Sequence, residues 1–193
     1  MDTPTINQKN VYYPPGGILM WIIIFLELFT FGIALIFMTI SGRQKPEVFH
    51  ASRILLNPTY GAINTIFLLT SGLFMARTVQ LLNEKNIHRA SFFLKLTMLG
   101  GVLFLTLKGL EYWDKIEAGL ILSYNTFFTY YWMLTLFHVV HVVVGLIILW
   151  TVQHSMSKNP QKLELEDVEA SAAFWHMCDL IWLLLFPIIY LIF

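Results

Sequence analysis

Five apolar stretches, each long enough to cross a bilayer, alternate with short polar segments along the 193-residue chain. A transmembrane helix needs about 20 mostly apolar residues, because each residue rises about 1.5 Å and the hydrocarbon core is about 30 Å thick. The pattern therefore predicts an all-α fold, a polytopic transmembrane bundle of five helices within a single membrane domain. The predicted spans cover about residues 18–40, 59–82, 91–113, 124–152 and 170–193, and the membrane domain covers residues 18–193.

A polar N-terminal segment, residues 1–17, precedes the first predicted span. The apolar run after it is too long for the core of a removable signal peptide, so we expect this run to be retained as a span. Asn57 followed by Pro58 predicts the start of the second helix, because proline is favoured in the first helical turn. Pro187 lies inside the last predicted span, where it predicts a kink that neighbouring helices can accommodate.

Composition narrows the class of protein further. Hydrophobic residues make up 57% of the chain and charged residues only 12%, with a formal net charge of zero. Soluble domains carry about 25% charged residues, so a soluble enzyme is excluded. The neutral balance offers no basic surface for nucleic acid. The single cysteine, Cys178, excludes an internal disulfide framework and a cysteine-based zinc or iron–sulfur site.

Lysine and arginine near the span ends predict the orientation, because cytoplasmic loops are enriched in positive charge. An inside N-terminus places seven of them on the inner side: Lys9, Arg77, Lys85, Arg89, Lys95, Lys158 and Lys162. It places four on the outer side: Arg43, Lys45, Arg53 and Lys115. The distribution predicts a multi-pass membrane protein with its N-terminus in the cytoplasm.

Ionisable residues also occur inside the predicted spans, where a charge costs at least about 2.5 kcal/mol and therefore requires a partner or a function. Glu27 lies about nine residues into the first span, close to the bilayer midplane. Three couples have i,i+3 spacing, which places both members on one helix face: Lys108 with Glu111, His138 with His141, and His176 with Asp179. We expect all of these side chains to face the interior of the bundle.

Several kinds of site are compatible with these residues. The three histidines with Glu27 or Asp179 offer ligands for zinc, copper or iron, and two of the histidines could hold a haem. The spacing is not the Glu-x-x-His of carboxylate-bridged metal proteins, however, so the ligand set is incomplete. A proton path is a second interpretation. The third is an interhelical hydrogen-bond network that fixes helix order, with about 0.6–2 kcal/mol per contact, and we favour it.

Two local arrangements remain open on the residues alone. Lys108 and Glu111 form either a buried ion pair or a surface couple whose lysine extends to the headgroups. Tyr190, like the tryptophans near the span ends, is expected to anchor the chain at the membrane interface. In the last span, Trp175 and Trp182 are expected to point away from the face that carries the histidine and the aspartate.

Ordered motifs in all five predicted spans resemble subunit III of the haem-copper oxidases, the cytochrome c oxidase type, in its short five-helix form. The last span opens with Trp-His-x-x-Asp-x-x-Trp at 175–182, and the fourth carries Phe-His-x-x-His-Val-x-x-Gly at 137–145. The remaining matches are Asn64-Thr65 with Leu68-Leu69-Thr70-Ser71-Gly72, Glu111-Tyr112, and Glu27 at the position of the family's intramembrane glutamate.

The resemblance implies a non-catalytic accessory subunit that binds neither haem nor copper, which belong to the catalytic partner subunit. It also implies phospholipid bound in a cleft between helices, and support of sustained turnover and proton uptake by the partner. No catalytic, metal or cofactor-binding residue is assigned. The candidate buried polar or lipid-cleft residues are Glu27, Asn64, Lys108, Glu111, His138, His141, His176 and Asp179.

Two positions depart from the oxidase pattern. Lys108 occupies a position where oxidase subunits usually have glutamine, and Pro187 follows Leu185-Phe186 in the last span. Both features resemble the branch associated with nitric oxide reductases, so an accessory subunit of such a reductase is the alternative. An independent membrane transporter is the alternative from another class. It would be expected to show repeat symmetry or paired broken helices, and the sequence shows neither.

Overall fold

The computed structural model describes residues 17–158 and 163–193. The predicted polar segment 1–17 therefore lies outside the described residues except for Gly17. The described chain forms six helices: α1 (Ile18–Gln44), α2 (Pro46–Ile54), α3 (Pro58–Asn83), α4 (Ile87–Glu117), α5 (Thr126–Lys158) and α6 (Leu165–Tyr190). All except α2 are long and apolar enough to cross a membrane. This confirms the predicted all-α bundle of five spans.

Asparagine side chains begin three of the long helices by accepting a backbone N–H of the first turn, which satisfies a donor that has no partner within the helix. The accepting side chains are Asn57 before α3 (3.0 Å), Asn86 before α4 (3.3 Å) and Asn125 before α5 (2.9 Å). Pro58 occupies the first turn of α3, as the sequence predicts. These local signals set the helix starts independently of the membrane.

Two helices end in a left-handed residue. Gly119 after α4 has φ of 72° and Lys85 after α3 has φ of 58°. At each end the backbone N–H groups of the left-handed residue and of the residue after it donate to carbonyls of the last helical turn, which is the Schellman arrangement. Glycine adopts this φ without strain, whereas a lysine does so at some cost. The tight end at Lys85 starts the short turn that returns the chain antiparallel into α4.

The short helix α2 was not predicted from the sequence. Pro46 begins it, and Phe49 on its inner face is fully buried between the rings of Phe127 and Phe193, at centroid distances of 5.4 and 5.0 Å. The side-chain amide of Asn125 donates to Ser52 on the same face at 2.7 Å. The buried face of α2 covers the end of the bundle. Polar residues in the segment keep its hydropathy low, and for this reason the apolar pattern of the sequence did not predict the helix.

Helix α6 lies at the centre of the bundle and packs against α1, α3 and α5, while α4 packs against α3 and α5. The ring of Trp175 fills the space between α4 and α5. A Cβ atom on Gly101 or Gly145 would approach this ring to 2.6 or 2.9 Å, so both positions require glycine. Small residues thus allow the central helix to carry a large aromatic side chain inward.

Candidate functional site

Four side chains from three helices form a closed polar cluster in the core. Lys108 and Glu111 of α4 are fully buried, and the lysine ammonium donates to Oε2 of the glutamate at 2.9 Å. It also donates to the hydroxyl of Tyr190 on α6 at 2.8 Å. The hydroxyls of Tyr131 on α5 and of Tyr190 donate to Oε1 of Glu111 at 2.9 and 2.6 Å. Both carboxylate oxygens and the ammonium therefore have partners without water.

Aromatic rings surround the ammonium of Lys108. Its Nζ lies 5.0–5.4 Å from the ring centroids of Tyr112, Tyr131, Trp182 and Tyr190. Cation–π attraction of this kind strengthens when the cation is removed from water. Of the two arrangements considered for this couple, the structure shows the buried ion pair.

The expected interfacial position of Tyr190 is wrong. This residue is 1% exposed and its hydroxyl completes the cluster. It lies eight residues after Trp182 on α6, a spacing that keeps both on one helix face. Together with Tyr131, it is a site residue that the sequence did not identify, because nothing along a single helix shows which tyrosines meet across helices.

His138 lies beside this cluster and packs through the faces and edges of its ring. Its ring is fully buried, stacked on Trp182 at 5.4 Å and perpendicular to Phe104 at 5.6 Å. Neither ring nitrogen has a hydrogen-bond partner among the described residues. Burying an unpaired polar group costs at least about 1–3 kcal/mol. His138 is therefore held by aromatic packing, and burial of its unpaired ring nitrogens costs free energy. It makes no polar contact with His141.

His141 instead joins α5 to α1. Its Nε2 lies 3.2 Å from Oε2 of Glu27, and its Nδ1 lies 2.7 Å from the carbonyl oxygen of Phe137. A carbonyl oxygen only accepts, so Nδ1 is the donor in the contact with Phe137. The contact with Glu27 then holds one proton, which is carried either by Nε2, facing a carboxylate, or by Oε2, facing a neutral imidazole. Glu27 thus has a partner that its position in the sequence did not reveal.

The third couple is open on one side. Asp179 is buried, with Oδ2 beside Gly72 of α3 and 3.5 Å from Nδ1 of His176, whereas its Oδ1 has no partner in the described part of the chain. The His176 side chain is 45% exposed. The expectation that both residues face the interior is therefore wrong for the histidine, because only its Nδ1 edge lies against α3, whereas the aspartate is buried there.

The tryptophans of the same helix point inward, contrary to the expectation from the sequence. Trp175 and Trp182 are buried, and each indole N–H donates to a hydroxyl of α3, Ser71 and Thr65, at 3.0 Å. The Ser71 hydroxyl in turn donates to the carbonyl oxygen of Thr97 on α4 at 2.8 Å. These bonds set the rotation of α6, and that rotation turns His176 outward.

The candidate residues are thus distributed over separate contacts. Asn64 of α3 is fully buried, and its side-chain amide has no hydrogen-bond partner in the described ranges. Within residues 17–158 and 163–193, no three histidine, cysteine, aspartate or glutamate side chains converge to hold a metal ion. The three histidines proposed as ligands lie in three different environments. The arrangement can hold helices together and bury charge, which the interhelical-network interpretation requires.

These features define a polytopic helical membrane protein with a charged cluster sealed inside its bundle. The profile of the cytochrome c oxidase subunit III family matches residues 16–192. The chain belongs to this family.

Curated relatives carry matching names. Subunit 3 of the cytochrome bo(3) ubiquinol oxidase of Buchnera aphidicola is 29% identical over 146 residues, which cover 75% of this chain and 68% of that protein. Cytochrome c oxidase subunit 3 of Synechocystis is 28% identical over 215 aligned residues, covering 100% and 88%. The Rhipicephalus sanguineus protein of the same name is 36% identical over 134 residues, which cover 66% of this chain and 49% of that protein. The chain spans about half the length of several relatives that it matches.

Proposed function

We propose that this chain is a non-catalytic, subunit III-type accessory subunit of a haem-copper respiratory oxidase. The family match over residues 16–192 is the observation that carries the proposal. It favours an accessory subunit over an independent transporter. The haem and copper then belong to the catalytic partner subunit, which this chain would support in stability, sustained turnover and proton uptake during aerobic electron transport.

The polar contacts support a structural rather than a chemical role. In the Lys108–Glu111 cluster each charged group is already hydrogen-bonded within the bundle, so the cluster presents no free group to a substrate. The contact between Glu27 and His141 joins α1 to α5. Interhelical polar contacts in membranes contribute about 0.6–2 kcal/mol each, enough to fix helix order. We infer that these groups maintain the shape that the catalytic subunit binds.

Three further assignments accompany this proposal. Bound phospholipid between the helices is implied by the family resemblance. The bacterial relatives support the cell's inner membrane as the location. A cytoplasmic N-terminus rests on the lysine and arginine distribution.

A nitric oxide reductase as partner is favoured by Lys108 and Pro187, whereas the relatives named above favour an oxidase.

Gentle purification tests the proposal. The affinity-tagged chain is isolated from its own membranes in mild detergent, and haem is measured by a reduced-minus-oxidised spectrum and a pyridine haemochrome assay. We expect haem in the co-purifying complex, oxygen consumption by it, and no stoichiometric haem or metal in the isolated chain. Purification without a haem protein would contradict the proposal. Consumption of nitric oxide instead of oxygen would identify the alternative partner.

A further inference from the structure

An ionisable side chain on α6 is exposed at the depth of the hydrocarbon core. His176 lies seven residues after Glu169, which is about 10 Å along the helix axis at 1.5 Å per residue. It also lies level with the middle of α3, because the adjacent Trp175 bonds to Ser71 halfway along that helix, and the Ser71 hydroxyl bonds to the carbonyl oxygen of Thr97. Polar side chains at this depth normally face the bundle interior or a polar partner.

The chain itself supplies only part of that partner. Nδ1 of His176 is directed at Asp179, and this 3.5 Å contact is the single polar contact that the imidazole makes to residues 17–158 and 163–193. Nδ1 is directed inward while the side chain as a whole is 45% exposed, so we infer that the opposite ring edge, which carries Nε2, is the outward one. Hydrocarbon offers no hydrogen bond, so Nε2 at a lipid-facing position would be an unsatisfied polar atom.

A continuous exposed face surrounds the histidine. We name it the α6 stripe; it consists of the exposed His176, Leu180, Leu183 and Leu184, with the half-buried Ala173 and Pro187 at its two ends. It runs beside α3, because Gly72 of that helix lies next to Nδ1 of His176. Ala173, one turn before the histidine, leaves space for close approach of a neighbouring backbone.

We propose that the α6 stripe is the docking face for one transmembrane helix of the catalytic subunit, and that this helix presents a hydroxyl or amide side chain to Nε2 of His176. The inference rests on the proposed function. A transmembrane helix satisfies its own backbone groups and can place one polar side chain at a chosen depth, which an acyl chain cannot. Hydroxyl and amide groups both donate and accept, so they match Nε2 whether or not it carries a proton.

Site-specific photocrosslinking in the purified complex tests this docking face. A benzophenone amino acid replaces Leu180 of the stripe, or Leu184 if the first variant fails to insert. The matched control replaces Leu99, which is 53% exposed on α4 and lies near the depth of Thr97. We expect an adduct between position 180 and the haem-bearing polypeptide, identified by mass spectrometry of the joined peptides, and little or none from position 99.

A second substitution tests the role of the imidazole. His176→Ala should lower the adduct yield at position 180 by about 3- to 30-fold, the range that interhelical hydrogen bonds in membranes support. His176→Asn retains a donor and an acceptor and should restore most of the yield. His88→Ala, which removes an exposed imidazole at the start of α4, should leave the yield unchanged.

The outcomes separate this inference from the proposed function. An adduct only with lipid, with a second copy of this chain, or with equal yield from positions 99 and 180 would overturn the docking face. The haem protein would still co-purify in that case, and the accessory role would stand. Absence of any haem protein from the complex would overturn both. Unchanged yield in His176→Ala would show that the polar contact does not exist.

Discussion

Two base–acid couples in this bundle have the same i,i+3 spacing and opposite surroundings. Lys108 and Glu111 on α4 are sealed from every side, and two tyrosines from other helices complete their hydrogen bonds. On α6, His176 is 45% exposed at the surface of the bundle, and the buried Asp179 beneath it has one oxygen unpaired within the described chain. Spacing along a helix therefore places two residues on one face, whereas the neighbouring helices decide what they contact and whether they are enclosed.

The physical difference lies in which helix faces the couple. The cluster on α4 points at α5 and α6, and both of these helices supply tyrosine hydroxyls. The couple on α6 points along the edge of α3, where Gly72 offers space but no hydrogen bond. A closed couple stabilises the subunit itself. An open couple is suited to contact another molecule.

The largest expected effect comes from breaking the closed couple on one side. Glu111→Leu leaves the Lys108 ammonium and two hydroxyls without their acceptor in a desolvated site, so we expect a loss of about 3–5 kcal/mol in the free energy of unfolding. Denaturant titration of the purified chain in micelles measures it. The double variant Lys108→Met with Glu111→Leu should recover most of the loss, whereas Glu117→Leu at the exposed end of α4 serves as the neutral control. A double variant as unstable as the single one would contradict the ion-pair account.

Removing one hydroxyl from the cluster should cost less. Tyr190→Phe deletes the donor at 2.6 Å from Glu111 and the acceptor at 2.8 Å from Lys108, while the ring remains. Hydrogen bonds to charged groups contribute about 1.5–3 kcal/mol, and we expect a destabilisation of that size in the same titration. Tyr124→Phe at an exposed tyrosine should change nothing measurable. Equal effects of the two substitutions would show that Tyr190 is not part of the closed cluster.

The open couple is sensitive on its buried side. A Cβ atom at Gly72 would overlap Oδ2 of Asp179, so Gly72→Ala should destabilise the chain by about 1–3 kcal/mol through overpacking. Adding Asp179→Ala should relieve the overlap and recover part of that loss. Gly109→Ala has open space around it and should be neutral or slightly stabilising, because alanine favours a helix. Thermal unfolding in micelles compares the variants, and no difference between positions 72 and 109 would count against the close contact.

The exposed member of the open couple should matter least to the isolated chain. His176→Ala removes one long contact to the buried Asp179, so we expect it to lower the free energy of unfolding by about 0.5–1.5 kcal/mol, the contribution of one hydrogen bond. The loss should therefore be clearly smaller than the loss caused by Glu111→Leu. A loss above 2 kcal/mol, roughly the upper end for a single interhelical polar contact, would show that His176 stabilises the bundle rather than its surface.

Local sequence determined much of this protein. Apolar length predicts five helices because backbone groups in a membrane must bond within each helix. Asn57 with Pro58 predicts the start of α3, because a capped first turn depends only on neighbouring residues. The i,i+3 couples could be read from the sequence because residues three positions apart share one face of any helix. The ordered motifs identified the family that the match over residues 16–192 shows.

Tertiary structure decided which partners those residues meet. Tyr131 and Tyr190 reach Glu111 from helices far along the chain, and Glu27 meets His141 across α1 and α5. Such contacts depend on how each helix is rotated about its axis, which a uniformly apolar sequence does not show. In α6 that rotation follows from packing of the indole of Trp175 against glycines of α4 and α5 and from its hydrogen bond to α3. The side of α6 that remains outward is consequently the side that carries His176.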